Sequence, residues 1–300
     1  MRSIYYAMIL EFDSMVGVYM DTLDDAGIAD NTILIVTSDH GDMNMEHQQF
    51  YKMVQYDASA RVPLVIRLPP GSAAVGNPFV TAPTSHVDLF PTIMDFAQVP
   101  GSSRPSCLQG ESLAPFLAPK TVPNTGLAAA GGSDGAAGEL QPQPAVTGTS
   151  TRPRRAFNVI QFHGCDIAMS WFSIVDGTYK YTVFGTGEQH PPQLFNMLTD
   201  PGEDQNIAAT EPATIKRLDA WLRTVVDYPA VAMDVAQYNH DSLSLWVNST
   251  KDWKSVAAKS RWKASFDVDT NASIAAISEY VANPAAIKEC RNSPTWPKAD

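Results

Sequence analysis

Thr32-Ile33-Leu34-Ile35-Val36-Thr37-Ser38-Asp39-His40-Gly41 is the stretch that decides the fold class. Between its two outer threonines every side chain is apolar, and most are β-branched, as in a strand buried on both faces of a sheet. A carboxylic acid and an imidazole follow directly. In α/β proteins that position, just outside the carboxyl end of a parallel strand, is where ligands gather. Gly41 lets the backbone turn sharply behind them. Asp39 and His40 offer an oxygen and a nitrogen donor, which suits calcium or zinc, with further ligands supplied from elsewhere. The plain alternative is an Asp39 that caps the loop beside a partly buried His40. Strand-end placement and the glycine favour the metal site.

Downstream lie Glu46-His47 and, twelve residues after His40, Lys52. A lysine just past a metal-binding turn can reach back and hold an anionic group as a compact point charge. His47 can donate to the same anion or act as an acid near working pH. Against this stand a solvated Lys52 and a His47 packed under Phe50 and Tyr51. His86 opens the segment Val87-Asp88-Leu89-Phe90-Pro91-Thr92, where helix capping accounts for the acid, proline and threonine and leaves His86 structural. His163 and Cys165 lack an orienting third group for a nucleophile. His190 and His240 read as surface residues. Neither a Gly-rich phosphate loop nor a Gly-x-Ser-x-Gly elbow occurs.

Outward from the central strand, Tyr5, Met8, Ile9, Phe12, Val16, Tyr19, Met20 and Leu23 form a helical stripe that Gly27 can stop. Val62–Ile66 reads as a second strand with Pro63 at its start, and Ser85 or Asp88 caps a helix running to Phe96. Helix, strand, strand and helix imply a parallel or mixed sheet flanked by helices over residues 1–118. Residues 119–154 are rich in Ala, Gly, Pro, Ser and Thr and read as a low-complexity linker or insertion. In 155–230, Phe157–Phe162, Trp171–Val175 and Tyr179–Phe184 are strand-like, the last two joined by an Asp176-Gly177 hairpin turn. Helical spacing returns from Glu211 to Val226 through Ile215, Leu218, Leu222 and Val225. Residues 231–300 read as an irregular wrapping tail.

The chain has 300 residues, a 44% hydrophobic and 18% charged composition, and a net charge of −11. That suits a globular protein with a sizeable core, and argues against a nucleic-acid partner, which needs clustered Lys and Arg. No apolar stretch approaches membrane-span length. Cys107, Cys165 and Cys290 form no CxxC motif. Asn248-Ser249-Thr250 and Asn271-Ala272-Ser273 are glycosylation sequons. No basic-then-apolar leader opens the chain, which raises the expectation that its front is missing.

These residues resemble the sulfatase family of the alkaline-phosphatase-like superfamily. The likeness is carried by Tyr5-Tyr6-Ala7, Asp30-Asn31-Thr32, Thr37-Ser38-Asp39-His40-Gly41, Glu46-His47 with Lys52, Val62-Pro63-Leu64, Ser85–Thr92 and Gly110-Glu111-Ser112-Leu113. Further on, Asp176–Tyr181, Gln193-Leu194-Phe195-Asn196 and Asp200-Pro201-Gly202-Glu203 are similar to the family's C-terminal subdomain. The run Met45–Met53, with Asp227-Tyr228-Pro229 and Gln237-Tyr238-Asn239, is similar to one branch of it. The resemblance implies an α/β fold: part of a mixed sheet flanked by helices, then a small antiparallel sheet with a packed helix. It implies a calcium-dependent sulfuric ester hydrolase acting on a sulfated carbohydrate, such as a glycosaminoglycan, or an aryl sulfate, in a lysosomal or secreted setting. Asp39 and His40 would ligate calcium, and Lys52, with His47, would hold the sulfate.

In the family a formylglycine made from Cys in a Cys-x-Pro/Ser-x-Arg motif attacks sulfur. Here Cys107 is followed by Leu-Gln-Gly-Glu, Cys165 by Asp-Ile-Ala-Met and Cys290 by Arg-Asn-Ser-Pro. None fits, so the expectation is a C-terminal portion that lacks the nucleophile. A phosphodiesterase or phosphatase of the same superfamily, and a non-catalytic fragment binding sulfated glycans, are the competing readings.

Overall fold

The computed structural model describes residues 2–69, 82–117, 155–164, 167–258 and 270–282. The reading of 119–154 as a linker falls outside them. The chain is α/β and divides into two units, Met1–Ser38 with Pro63–Asn158, and Asp39–Val62 with Val159–Asp300.

The first unit opens with helix α1 (Arg2–Asp25), which ends before Gly27 at φ +66°. The expected apolar stripe is present in sequence but not covered, because Met8, Ile9, Phe12 and Tyr19 are exposed and no α1 residue is fully buried. Strand β1 (Leu34–Thr37) pairs with a strand spanning Leu64–Arg67. The pairing is antiparallel, Leu34 opposite Arg67 and Thr37 opposite Leu64. Each residue of β1 is half-buried. The expectation of a parallel strand buried on both faces is corrected on both counts: an apolar run fixes neither the direction of its partner nor whether the second face is covered. Pro63 stands just before its strand, where no ladder donor is required, and its carbonyl accepts a 2.8 Å hydrogen bond from Thr37 Oγ1.

Farther along this unit, Ser85 and Asp88 form a reciprocal capping box around a short 3-10 turn, with the Ser85 amide donating to Asp88 Oδ2 at 2.9 Å. Helix Leu89–Phe96 follows with Pro91 in its first turn, as the sequence implies. His86 is exposed, and the buried group is Asp88. Its carboxylate also takes the Glu111 amide at 2.8 Å and the Arg155 guanidinium. A buried charge so thoroughly hydrogen-bonded ties three stretches of this unit together.

In the second unit, a short antiparallel ladder joins β2 (Met43–Asn44) with β3 (Phe50–Tyr51). The strand spanning Leu64–Arg67 is β4, and β5 (Asn158–Phe162), β6 (Trp171–Val175), β7 (Tyr179–Phe184) and β8 (Gln193–Asn196) form a four-stranded sheet in that order. Asp176-Gly177 makes the β6–β7 turn, as expected. Gly177 adopts φ +88°, and Asp176 Oδ1 accepts from the amides of Thr178 and Tyr179.

Register places Phe172, Ile174, Tyr181, Val183 and Leu194 on one face of this sheet. The expected helix, Pro212–Val225, packs there through buried Leu218 and Leu222. On its Asp219 carboxylate converge the hydroxyls of Tyr181 and Tyr228, at 3.2 and 3.0 Å, and Arg223 at 2.7 Å. Burial, then the charge of Asp219, push the Tyr228 hydroxyl up to about 12.

The described residues after Tyr228 are mostly helical rather than irregular. Helix Tyr228–Ser249 starts with the Asp227 side chain accepting from the Ala230 amide and Pro229 in the first turn. It buries Tyr228, Ala232, Ala236 and His240, one residue per turn. Helices Trp253–Ala258 and Thr270–Ala282 follow. Small alanines at four-residue spacing carry this helix's inner face, a pattern that large-residue counting overlooks. His240, expected at the surface, is therefore buried, with its ring 5.3 Å from that of Tyr280. His190 is exposed, edge-on to Phe184. Among the described residues no helix is long and apolar enough to cross a membrane.

Candidate metal and oxyanion site

Asp39 and His40 stand at the head of the second unit. The Gly41 amide donates to the Ser59 carbonyl at 2.8 Å, which anchors the turn. A Cβ on Gly41 would overlap the Ala58 carbonyl oxygen, so the backbone approach itself demands glycine. The Gly41 carbonyl lies 2.8 Å from His40 Nδ1. A carbonyl only accepts, so Nδ1 carries the ring proton and Nε2 presents its lone pair. This is the backbone support that metal-binding imidazoles use.

Two groups face that lone pair. Lys52 Nζ donates to His40 Nε2 at 2.6 Å, and Asp39 Oδ2 lies 3.3 Å from the same nitrogen. Asp39 is 83% exposed. Desolvation at its carboxyl raises its pKa, but the His40 amide bonded to Oδ1 at 3.0 Å and the nearby Lys52 ammonium outweigh this and hold it below the usual carboxylate range. An ionised acid, a hydrogen-bond-accepting imidazole nitrogen and an ammonium thus meet within one turn and one loop.

An acid oxygen and an imidazole nitrogen 3.3 Å apart are a donor pair that would suit a divalent cation. Among the described residues no third acid, imidazole or thiol joins them in a set able to hold a metal.

His47 is not part of this cluster. Its Nε2 donates to the Gly202 carbonyl at 3.0 Å, and its ring stacks on Tyr56 with centroids 3.8 Å apart. It is the stacking partner of Tyr56 rather than lying beneath Phe50 and Tyr51. His163 sits edge-on to Phe172, and burial lowers its pKa. Cys165, its supposed partner, lies outside the described residues.

The segment carrying Lys52 is unusual in its backbone. Met45, His47, Gln48, Tyr51 and Met53 all have positive φ, from 50° to 81°. Bulky residues take that conformation only where surroundings enforce it. The end of this segment and the residues after it are held by the opposite face of the four-stranded sheet, which carries Trp171, Lys180 and Gln193. Trp171 Nε1 donates to the Met53 carbonyl at 3.1 Å and Gln55 Nε2 to Gln193 Oε1 at 2.6 Å. Lys180, wholly buried in mid-strand, lies 2.8 Å from both Asp57 Oδ1 and Glu203 Oε1. Its hydrogen bond runs to Asp57, while Glu203 Oε1 is off the bonding line, and Glu203 Oε2 takes the Asp57 amide at 2.5 Å. This buried ion network was missed in the sequence. The signal available was a lysine between Tyr179 and Tyr181 in a strand otherwise suited to a core.

Residues 1–99 match the family model described as Sulfatase. Arylsulfatase K of Danio rerio is 34% identical over 282 residues, covering 93% of this chain and 48% of that protein. The Gallus gallus and Homo sapiens arylsulfatases K are 35% and 32% identical, covering 87% and 95% of this chain and 44% and 49% of theirs. The chain belongs to the sulfatase family. It spans about half the length of the curated relatives it matches.

Among solved structures, one in complex with its substrate D-glucosamine-2-N,6-O-disulfate is 27% identical with a TM-score of 0.52, covering 73% of this chain and 39% of its own. The phosphonate monoester hydrolase of Agrobacterium radiobacter is 29% identical with a TM-score of 0.55, covering 74% and 40%. Both agree with the α/β class read from the sequence.

Proposed function

We propose that this sulfatase-family chain contributes the cation- and sulfate-binding side of a calcium-dependent sulfuric ester hydrolase for sulfated sugars. The convergence of Asp39, His40 and Lys52 within hydrogen-bonding range of one another carries the reading. Asp39 and His40 would hold calcium, with Nε2 aimed by the Gly41 carbonyl. Bound calcium would supply positive charge against the sulfate and its developing negative charge. Lys52 is the cation of the group: its stem reaches His40, and the same ammonium would turn to a sulfate oxygen. His47, engaged by Gly202 and Tyr56, positions the loop and leaves the anion to Lys52. Kinship with arylsulfatase K supports a sulfated glycan as substrate and a lysosomal or secreted setting. The proposed organisation is 1–118 for the catalytic-domain portion, 119–154 for a low-complexity linker or insertion, 155–230 for the antiparallel subdomain and 231–300 for the segment beyond it.

None of the three cysteines stands in the modification motif, so these 300 residues supply no formylglycine. The purified chain is expected to bind sulfate yet hydrolyse no aryl sulfate at any calcium concentration. Calcium-dependent release of the phenol from a chromogenic aryl sulfate by the purified chain would overturn the assignment of its chemistry.

The likeness to a phosphonate monoester hydrolase favours a second reading. A cation beside an ammonium also suits a phosphoester or phosphonate. Competition between sulfate and methylphosphonate for the chain separates the two: the sulfatase reading expects sulfate to bind more tightly, and preference for the phosphonate would favour the second.

A further inference from the structure

We infer that Tyr51 is a stacking platform for the pyranose ring that bears the sulfate, which makes this a sugar-sulfate site rather than a general sulfate site. The inference rests on the reading of Lys52 as the sulfate ligand. Tyr51 is 60% exposed, although it is aromatic and lies in strand β3. Lys52 Nζ lies 5.5 Å from the centroid of its ring, so the anion-binding group and the aromatic face are neighbours.

The backbone holds them so at a cost. Tyr51 has φ 77° and Met53 φ 81°, on either side of Lys52. A tyrosine at such a φ is an outlier that a free loop would relax. Here the Trp171 indole fixes the Met53 carbonyl, and Phe50 and Tyr51 are tied into the ladder with Asn44 and Met43. Strain kept by surrounding hydrogen bonds, on an exposed ring beside a charge, is arranged for a ligand rather than for the core.

The ligand's chemistry follows from the pair. A sulfate oxygen about 2.8 Å from the ammonium leaves the carbon skeleton of the ester within reach of the ring. A pyranose presents one face of C–H bonds, slightly positive, to the negative face of an aromatic ring, while its hydroxyls stay in water. Inorganic sulfate gains nothing from Tyr51. A sugar sulfate gains both contacts.

The test titrates the full 300-residue chain, in calcium, with inorganic sulfate, methyl sulfate and glucosamine 6-sulfate, followed by chemical-shift changes. The unaltered chain is expected to bind glucosamine 6-sulfate about tenfold more tightly than methyl sulfate. Tyr51→Asn removes the ring with a residue that tolerates positive φ. It should bring the sugar down to the affinity of methyl sulfate and leave inorganic sulfate unchanged, whereas Tyr51→Phe should keep the preference. A preference that survives in Tyr51→Asn overturns the platform alone. No binding of any sulfate by the unaltered chain, or sulfate binding untouched in Lys52→Met, overturns the sulfate site and the platform with it.

Discussion

Lys180→Met should cost the chain about 3–5 kcal/mol of stability, the usual penalty for removing one partner from a buried ion pair. Lys180 is fully buried, and its ammonium is what allows Asp57 and Glu203 to share the interior. Methionine fills the same volume but leaves two carboxylates facing each other with the Asp57 amide between them. The loss should appear as a lower urea midpoint followed by tryptophan fluorescence. Neutralising all three, with Asp57→Asn and Glu203→Gln added, should recover part of the loss, because the penalty lies in the uncompensated charges. The consequence also reaches the site. Asp57 and Glu203 hold the segment that follows Lys52, so Lys180→Met should weaken sulfate binding as well as stability. A variant as stable as the parent would show that the network contributes nothing.

Lys52→Met should weaken sulfate binding by about 10–100-fold while leaving the urea midpoint nearly unchanged. A charge-assisted hydrogen bond is worth about 1.5–3 kcal/mol, which is that range in affinity. Stability should hold because the contacts of the half-buried Lys52 ammonium, to His40 and over the Tyr51 ring, are local to this loop. Isothermal titration with sulfate, beside the denaturation curve, reads both. Equal loss of stability and affinity would recast Lys52 as a structural residue.

Local chemistry made part of this fold legible. Ser85 and Asp88, before an apolar run, announced the start of a helix. Asp176-Gly177 between two alternating stretches announced a hairpin, and Ile215, Leu218 and Leu222 a helix face. Each signal is complete within a few residues. What escaped depends on distant partners. Lys180 meets Asp57 across 123 positions and His47 meets Gly202 across 155, and nothing near either residue says so. The antiparallel pairing of β1 with β4 depends on how the chain returns, which an apolar run does not encode. His240 looked polar and exposed until Ala232 and Ala236 were seen to share its face.

For the site, Asp39, His40 and Lys52 were chosen for residue type, strand-end placement and resemblance, and they do meet. The strained backbone around Lys52 had no signature, since positive φ at Tyr51 and Met53 runs against the preferences of those residue types.

The most direct measurement is calcium titration of the purified chain by calorimetry, with and without sulfate, set beside His40→Ala. The account predicts that the unaltered chain binds calcium, that sulfate binds more tightly once calcium is present, and that His40→Ala loses at least about tenfold in calcium affinity. Calcium binding that is absent in the unaltered chain, or equally strong in His40→Ala, would contradict it.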